Sequence, residues 1–282
     1  MKKGKNEKFQ DLTKIANQAR HLMVETLICA GCGHPGGAFS SIDIMTALYF
    51  EILRIDPDNP RWNGRDFFIL SKGHSSVGLY TVLHLRGFFD RETLLTFRQD
   101  NSSLCGHPDM HKVPGIEMST GSLGHGLSVG TGLAIAGKMD NKDYKVFILM
   151  GDGETQEGSV WEAAMAASHY KLDNLIGIVD RNMLQIDGFT EDVMSLEPYK
   201  SKWEAFGWSV REIDGHNMSE ICSALRGSPF KKGKPSLIIA RTTKGKGISF
   251  MENSPEWHGK ALKDNHAVIA RAETKKLIKS NE

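Results

Sequence analysis

The chain has 282 residues, 40% of them hydrophobic and 24% charged, with 35 Lys+Arg against 34 Asp+Glu. That length can bury a full core as one large α/β domain or two small ones. A net charge of +1 excludes the clustered basic surplus of a nucleic-acid or membrane-surface protein.

The N-terminus is basic (Lys2, Lys3, Lys5, Lys8) without an apolar run, so residues 1–8 read as a flexible solvated tail and 9–282 as one domain. Neither a secretory signal nor a membrane-spanning stretch is visible, which makes the cytoplasm the expected location. The first helix is predicted from about Asp11, where Leu12, Ile15, Ala16, Ala19, Leu22, Met23, Leu27 and Ala30 recur at helical spacing. Cys29 and Cys32 end it. Their C-x-x-C spacing suits a redox pair or half a zinc site, but no second such pair exists, and Cys105 and Cys222 are isolated. No chemistry is assigned there.

Glycines between 31 and 37 break the helix, and a second one carries Ile42, Met45, Leu48, Tyr49 and Ile52 on one face. A short strand at 67–70, a glycine turn and a helix near 76–85 follow. The run at 146–150 is apolar throughout, as a parallel strand covered on both faces should be. A helix with Val160, Trp161, Ala164 and Ala167 leads to a second apolar strand at 175–179. Further strands near 208–213 and 236–240 flank a helix near 218–225, and a last helix lies near 267–278. Alternating strands and helices predict an α/β fold: a doubly wound, mainly parallel sheet with helices on both faces.

Gly151-Asp152-Gly153 directly follows the strand at 146–150, and Asn182 directly follows the next strand. Ligands of open α/β sheets bind beyond the carboxyl ends of strands. Two neighbouring strands therefore bring a carboxylate and an amide to one edge, and such hard oxygens suit magnesium shared with a phosphate. The helix after Gly153 should aim its positive N-terminus at the same place. The plain alternative is that Asp152 caps that helix and Asn182 makes a turn.

This Gly-Asp-Gly through Asn resembles the thiamine-diphosphate fingerprint. The resemblance implies that Asp152, Asn182 and the main-chain oxygen of Leu184 hold magnesium (or calcium or manganese). It also implies that Gly153 and Glu154 lie beside the diphosphate. In one departure, Arg181 stands before the single Asn182 where many members have two asparagines. This change is expected to leave the ligand in place and touch only its neighbour.

Histidines recur beside glycine: His34, His74, His107, His125 and His258. Imidazoles held on such turns can project into a cleft, where they donate to one oxygen, accept from another and carry a proton between them. That suits sugar hydroxyls and phosphates. Zinc is the competing explanation, and no pair has H-x-x-x-H spacing. Lys244-Gly245-Lys246-Gly247 is either a solvated loop or an anion site, and it is not a P-loop.

Gly33-His34-Pro35-Gly36, Ser71-Lys72-Gly73-His74, Gly106-His107-Pro108, Thr120 through Gly126, Gln156-Glu157-Gly158, Asp187-Gly188, Thr243-Lys244-Gly245 and Trp257-His258-Gly259 resemble the transketolases, in the family's order and over nearly the whole chain. The resemblance implies catalytic roles for His34, His74, His107 and His258 along the channel to the cofactor. Gly121, Ser122 and Leu123 should lie against its rings and Lys244 near its diphosphate. His125 replaces a frequent glutamine and Gly37 a frequent polar residue, so the role of His125 is left open. The implied reaction moves a two-carbon ketol unit from a ketose phosphate to an aldose phosphate through a thiamine-diphosphate ylide.

Such enzymes also need a pyrimidine-binding domain that gives a glutamate to the cofactor. The sequence ends at Glu282 without room for one, so a partner polypeptide is expected to supply it in a heterotetramer, with Glu157 facing the partner's glutamate. The alternatives are a component of a deoxyxylulose-phosphate synthase-like or 2-oxo acid dehydrogenase-like enzyme, or a non-catalytic cofactor-binding protein. Pentose-phosphate, apulose-type and sulfosugar substrates all remain open.

Overall fold

The computed structural model describes residues 5–279. Strands β1 (Phe67–Leu70), β2 (Val146–Gly151), β3 (Leu175–Arg181), β4 (Ser209–Asp214) and β5 (Ser236–Arg241) form one sheet in the order β1-β2-β3-β5-β4. Every pairing is parallel.

Side chains along β1, β2, β3 and β5 alternate between two buried clusters, which is why these segments read as continuous apolar runs, whereas the edge strand β4 exposes Arg211, Glu212 and Asp214. On β2, Phe147 and Leu149 join the first cluster, while Val146, Ile148 and Met150 join the second. The first is roofed by α1 (Lys5–Ala30), α2 (Pro35–Ala47) and α3 (Ser76–Leu85). The second lies under α4 (His125–Met139), α5 (Gly158–His169) and α6 (Tyr199–Ala205), with Trp203 and Trp208 buried in it. Each such large apolar side chain contributes about 1.5–3 kcal/mol by leaving water. Helices α7 (Met218–Arg226) and α8 (Asp264–Lys279) complete the first layer. The doubly wound sheet expected from the sequence is the observed fold.

Three local differences from the sequence reading stand out, two of them with a clear physical reason. Lys2 and Lys3 lie outside the described residues, but Lys5 and Lys8 belong to α1 rather than to a tail. The helix continues that far because Phe9 packs on the core and Lys8 Nζ reaches Glu51 at 2.5 Å. Helix α4 has no counterpart in the sequence reading, since its glycines obscure the helical pattern. Gly130 faces the sheet so closely that a Cβ there would meet Ile148 Cδ1 at 2.4 Å, and helical propensity is given up for that approach. Third, α2 runs into a π-helical turn, Leu48–Ile52. Among the described residues, no helix is long and apolar enough to cross a membrane.

Candidate functional site

Pairing in register sets Gly151 opposite Asp180 and Asp180 opposite Ala240. The residues leaving β2, β3 and β5 therefore emerge together at the carboxyl edge. They line one cleft, in which Asp152, Asn182, Leu184 and Lys244 meet His34, His74 and His258. Gly121, Leu123, Gly153, Glu154 and Glu157 line it too. Ser122 is exposed outside this lining, and His107 stands at its edge, with its ring 3.5 Å from where a Gly121 side chain would begin. Exposed His125 opens α4 and is not part of the cleft wall.

The oxygen donors are already aligned. Asp152 Oδ1 accepts from Gly153 N–H at 2.8 Å, and Oδ2 accepts from Met183 N–H at 2.7 Å. Asn182 Nδ2 donates to Asp180 Oδ2 at 3.0 Å, and its Oδ1 accepts from Leu184 N–H at 3.1 Å. Lys244 Nζ donates to Leu184 O at 3.3 Å. A carboxylate, an amide oxygen and a carbonyl oxygen thus share one corner, a hard-oxygen set that fits a divalent cation. Burial, together with the Asp180 charge, pushes the Asp152 carboxyl up to about 6. The segment after Asp152 is a 3₁₀ turn, Gly153–Gln156, and α5 begins only at Gly158. Asp152 caps that turn, so the plain alternative for this residue also holds, and the helix dipole is farther away than the sequence suggested.

Arg181 does more than touch its neighbour. Its Nη1 lies 3.2 Å from Asp152 Oδ2, with both side chains 2% exposed. The sequence reading missed this because Asp152 follows one strand and Arg181 ends the next. Two other buried groups make contacts that the sequence did not show. Lys72 Nζ reaches Asp180 Oδ2 at 2.6 Å and Gly37 O at 2.7 Å. Burial would raise the Asp180 carboxyl, but Lys72, Ser40 and Thr242 hold it below its ordinary value. Glu154 accepts from Gly124 N–H and Gly151 N–H, both at 3.0 Å, and from the Ser71 hydroxyl. These bonds tie three loops together. Glu154 braces the cleft wall, with both oxygens accepting from the protein.

The four histidines implied by the resemblance come together. Ring centroids of His34 lie 5.6, 6.3 and 5.8 Å from those of His74, His107 and His258, and His74 and His258 are 5.1 Å apart. Burial lowers all four, His258 to about 3 and His74 well below its ordinary value. The cluster is therefore neutral near pH 7, able both to donate and to accept. Among the described residues, no group of three or more His, Cys, Asp or Glu is placed to hold a metal. His34 Nδ1 is buried without a partner, an orphan that a polar ligand would satisfy. A side chain at Gly37 would press on Ser75 Oγ at 2.9 Å and His74 Nε2 at 3.4 Å, so glycine keeps that wall open.

Lys244 is anchored from behind. Asp43, held by Arg20, receives His216 Nδ1 at 2.8 Å, and His216 Nε2 accepts from Thr243 N–H at 2.8 Å. His216 follows a glycine like the other histidines, and its value lies in the contact with Asp43, 173 residues away.

Residues 12–276 match the family model described as "Transketolase, thiamine diphosphate binding domain". The chain belongs to the transketolase family. It is 52% identical over 239 residues to one of the subunits of an apulose-4-phosphate transketolase from Phocaeicola vulgatus, covering 85% of each chain. A 6-deoxy-6-sulfo-D-fructose transketolase subunit of Clostridium sp. is 44% identical over 96% of this chain and 98% of its own. Human transketolase is 40% identical over 98% of this chain, but the match spans only 45% of the human protein. Among solved structures, transketolase from Campylobacter jejuni superposes with a TM-score of 0.87 at 37% identity, covering 94% of this chain and 42% of that one. Against single-chain transketolases, this family member thus corresponds to somewhat less than half.

Proposed function

We propose that this chain, the cofactor-binding subunit of a ketol-transferring thiamine-diphosphate enzyme, grips the diphosphate through a divalent cation and shares its active site with a second polypeptide. Three hard oxygens, from Asp152, Asn182 and Leu184, meet one cleft with four neutral imidazoles, and this convergence carries the reading. When bound, thiamine diphosphate supplies the nucleophilic carbon that allows a ketose to be cleaved beside its carbonyl.

The chain's own residues do the rest. Asp152, Asn182 and the Leu184 oxygen hold the cation, magnesium first and calcium or manganese as substitutes. Lys244 and His258 lie on the diphosphate side, and Gly121 and Leu123 lie against the rings. His34 and His258 move protons at the donor sugar, His74 lines the channel between them, and His107 positions the first hydroxyl from the cleft edge. A diphosphate clamp alone has no need of this histidine cluster, which favours catalysis over a purely regulatory cofactor protein.

Two relatives of comparable length are named as transketolase subunits, which supports a partner polypeptide here. Glu157 is exposed at the cleft, where it would face the pyrimidine-binding domain of such a partner. Two copies of each chain would form a heterotetramer, and sugar phosphates are its substrate class. Calorimetry of the chain with its partner at saturating magnesium, followed by a ketol-transfer assay with and without that partner, tests the reading. Magnesium-dependent coenzyme uptake and partner-dependent transfer are expected. No coenzyme uptake by the pair would end it.

A further inference from the structure

Arg181 is the residue that the proposed function leaves without a role, and its surroundings are unusual for a cation. The side chain is almost fully buried at the end of β3. Its Nη1 donates to Asp152 Oδ2 at 3.2 Å and to Thr190 Oγ1 at 2.9 Å. Its Nη2 donates to Glu191 Oε1 at 2.9 Å and to Glu197 Oε1 at 3.0 Å. The guanidinium also lies 5.0 Å over the Tyr199 ring. A planar guanidinium with five fixed N–H donors can serve these four acceptors at once, one more than the three N–H groups of an ammonium allow.

The acceptors fall into two groups. Asp152 is a cation-holding carboxylate at the floor of the cleft. Thr190, Glu191 and Glu197 belong to the strap from Leu184 to Glu197, whose first residues, Leu184 to Asp187, line the cleft and supply the Leu184 carbonyl. The strap has few apolar anchors, for Ile186, Phe189, Val193 and Met194 are all 40% exposed or more. Its turn closes instead on Glu191, which accepts from the Ser195 hydroxyl at 2.6 Å and from Leu196 N–H at 3.2 Å. One guanidinium is thus shared among three carboxylates, those of Asp152, Glu191 and Glu197.

We infer that Arg181 is a positioning residue that couples cation binding at Asp152 to the order of the Glu191–Glu197 end of the strap. This rests on the cation site proposed above. The guanidinium aims Asp152 while the site waits, and the same group pins the strap whose first carbonyl completes the oxygen set. A cation that fixes Asp152 then fixes the far end of the strap, which itself touches no ligand. The coupling is reciprocal: whatever loosens the strap must weaken cation binding by the same factor.

The test uses the chain with its partner, manganese as the cation, and thiamine diphosphate. Titration gives the affinity, and amide hydrogen exchange of residues 191–197 gives the order of the strap. In the parent protein, manganese with coenzyme should slow that exchange. In Arg181→Gln, the exchange should be fast and no longer respond to ligand, and the manganese Kd should rise about tenfold. Arg181→Lys should recover part of the affinity but little of the response. Should Arg181→Gln fail to fold, the double variant Glu191→Gln/Glu197→Gln loosens the strap without touching Asp152, and the same rise in Kd is expected. A variant with unchanged manganese affinity, or with ligand-responsive exchange at 191–197, overturns the coupling. If the parent binds neither manganese nor coenzyme, the proposed function fails instead, so the two failures are distinct.

Discussion

Lys244 Nζ lies 2.9 Å from His258 Nδ1, so an ammonium proton faces that nitrogen and the imidazole carries its own proton on Nε2. One buried lysine thereby sets the tautomer of a cleft histidine while also holding the Leu184 carbonyl. The pair fixes which His258 atom can donate to a ligand.

A pH dependence follows from the same lysine. Burial lowers Lys244 from its ordinary 10.5 to about 8. Between those values the unfolded chain holds a proton that the folded, coenzyme-free chain has lost, so this group makes stability rise with pH across that window. Coenzyme affinity should run the opposite way. The anionic diphosphate favours the ammonium form, so binding is fullest below about pH 8 and weakens above it by up to roughly tenfold per unit. Thermal unfolding and coenzyme titration of the parent and Lys244→Met from pH 7 to 10 check both signs. The substitution should weaken binding at pH 7 and flatten both slopes.

Asp152 gives the complementary acid limb. Its folded value is raised to about 6 from 3.8, so its contribution to stability is fully present below about 3.8 and is lost as pH rises through 6. A cation must displace that proton. Manganese affinity should therefore weaken by about tenfold per unit below pH 6, with a proton released per ion bound. Calorimetry in two buffers of different ionisation enthalpy measures the release, and Asp152→Asn should abolish it together with tight binding.

Four of the five strands were legible in the sequence because strands buried on both faces leave unbroken apolar runs, while the edge strand β4 carries exposed Arg211 and Glu212 and was legible only from its place in the alternation. The four cleft histidines and the Asp152–Asn182 pair were legible because each sits on a short motif. What the sequence hid was pairing at long range. Arg181 looked like a change beside the ligand, yet it contacts Asp152 across two strands. Lys72 and Asp180 are 108 residues apart and form a buried ion pair, and nothing local to either predicts it. Helix α4 was hidden for the opposite reason, since its close approach to the sheet demands residues that read as a loop.

Glu154 should behave as a brace. Gln at this position keeps an acceptor for Gly124 N–H and the Ser71 hydroxyl, but turns an amide N–H toward Gly151 N–H. Leaving that buried donor unsatisfied costs about 1–3 kcal/mol. Burial also raises the Glu154 carboxyl, so the stability it contributes is fullest at acid pH and lost as pH rises through its folded value. Urea unfolding at pH 5 and pH 8 should show Glu154→Gln less stable than the parent, with a smaller difference between the two pH values.

His216 separates anchoring from contact, because it reaches the cleft lining only through the chain at Thr243. Its Nε2 accepts from Thr243 N–H and its Nδ1 faces Asp43 Oδ2, which places the proton on Nδ1. Gln can offer an oxygen near the Nε2 position and keep the Thr243 bond. Asn can offer an N–H near the Nδ1 position and keep only the Asp43 bond. If the anchor works by holding the Lys244 loop, His216→Gln should retain coenzyme affinity within about threefold, whereas His216→Asn should lose about tenfold, equivalent to one net hydrogen bond of roughly 1.4 kcal/mol. Both should unfold at lower temperature than the parent. Equal coenzyme affinity in the two variants would show that His216 supports the fold alone and leaves Lys244 where it is.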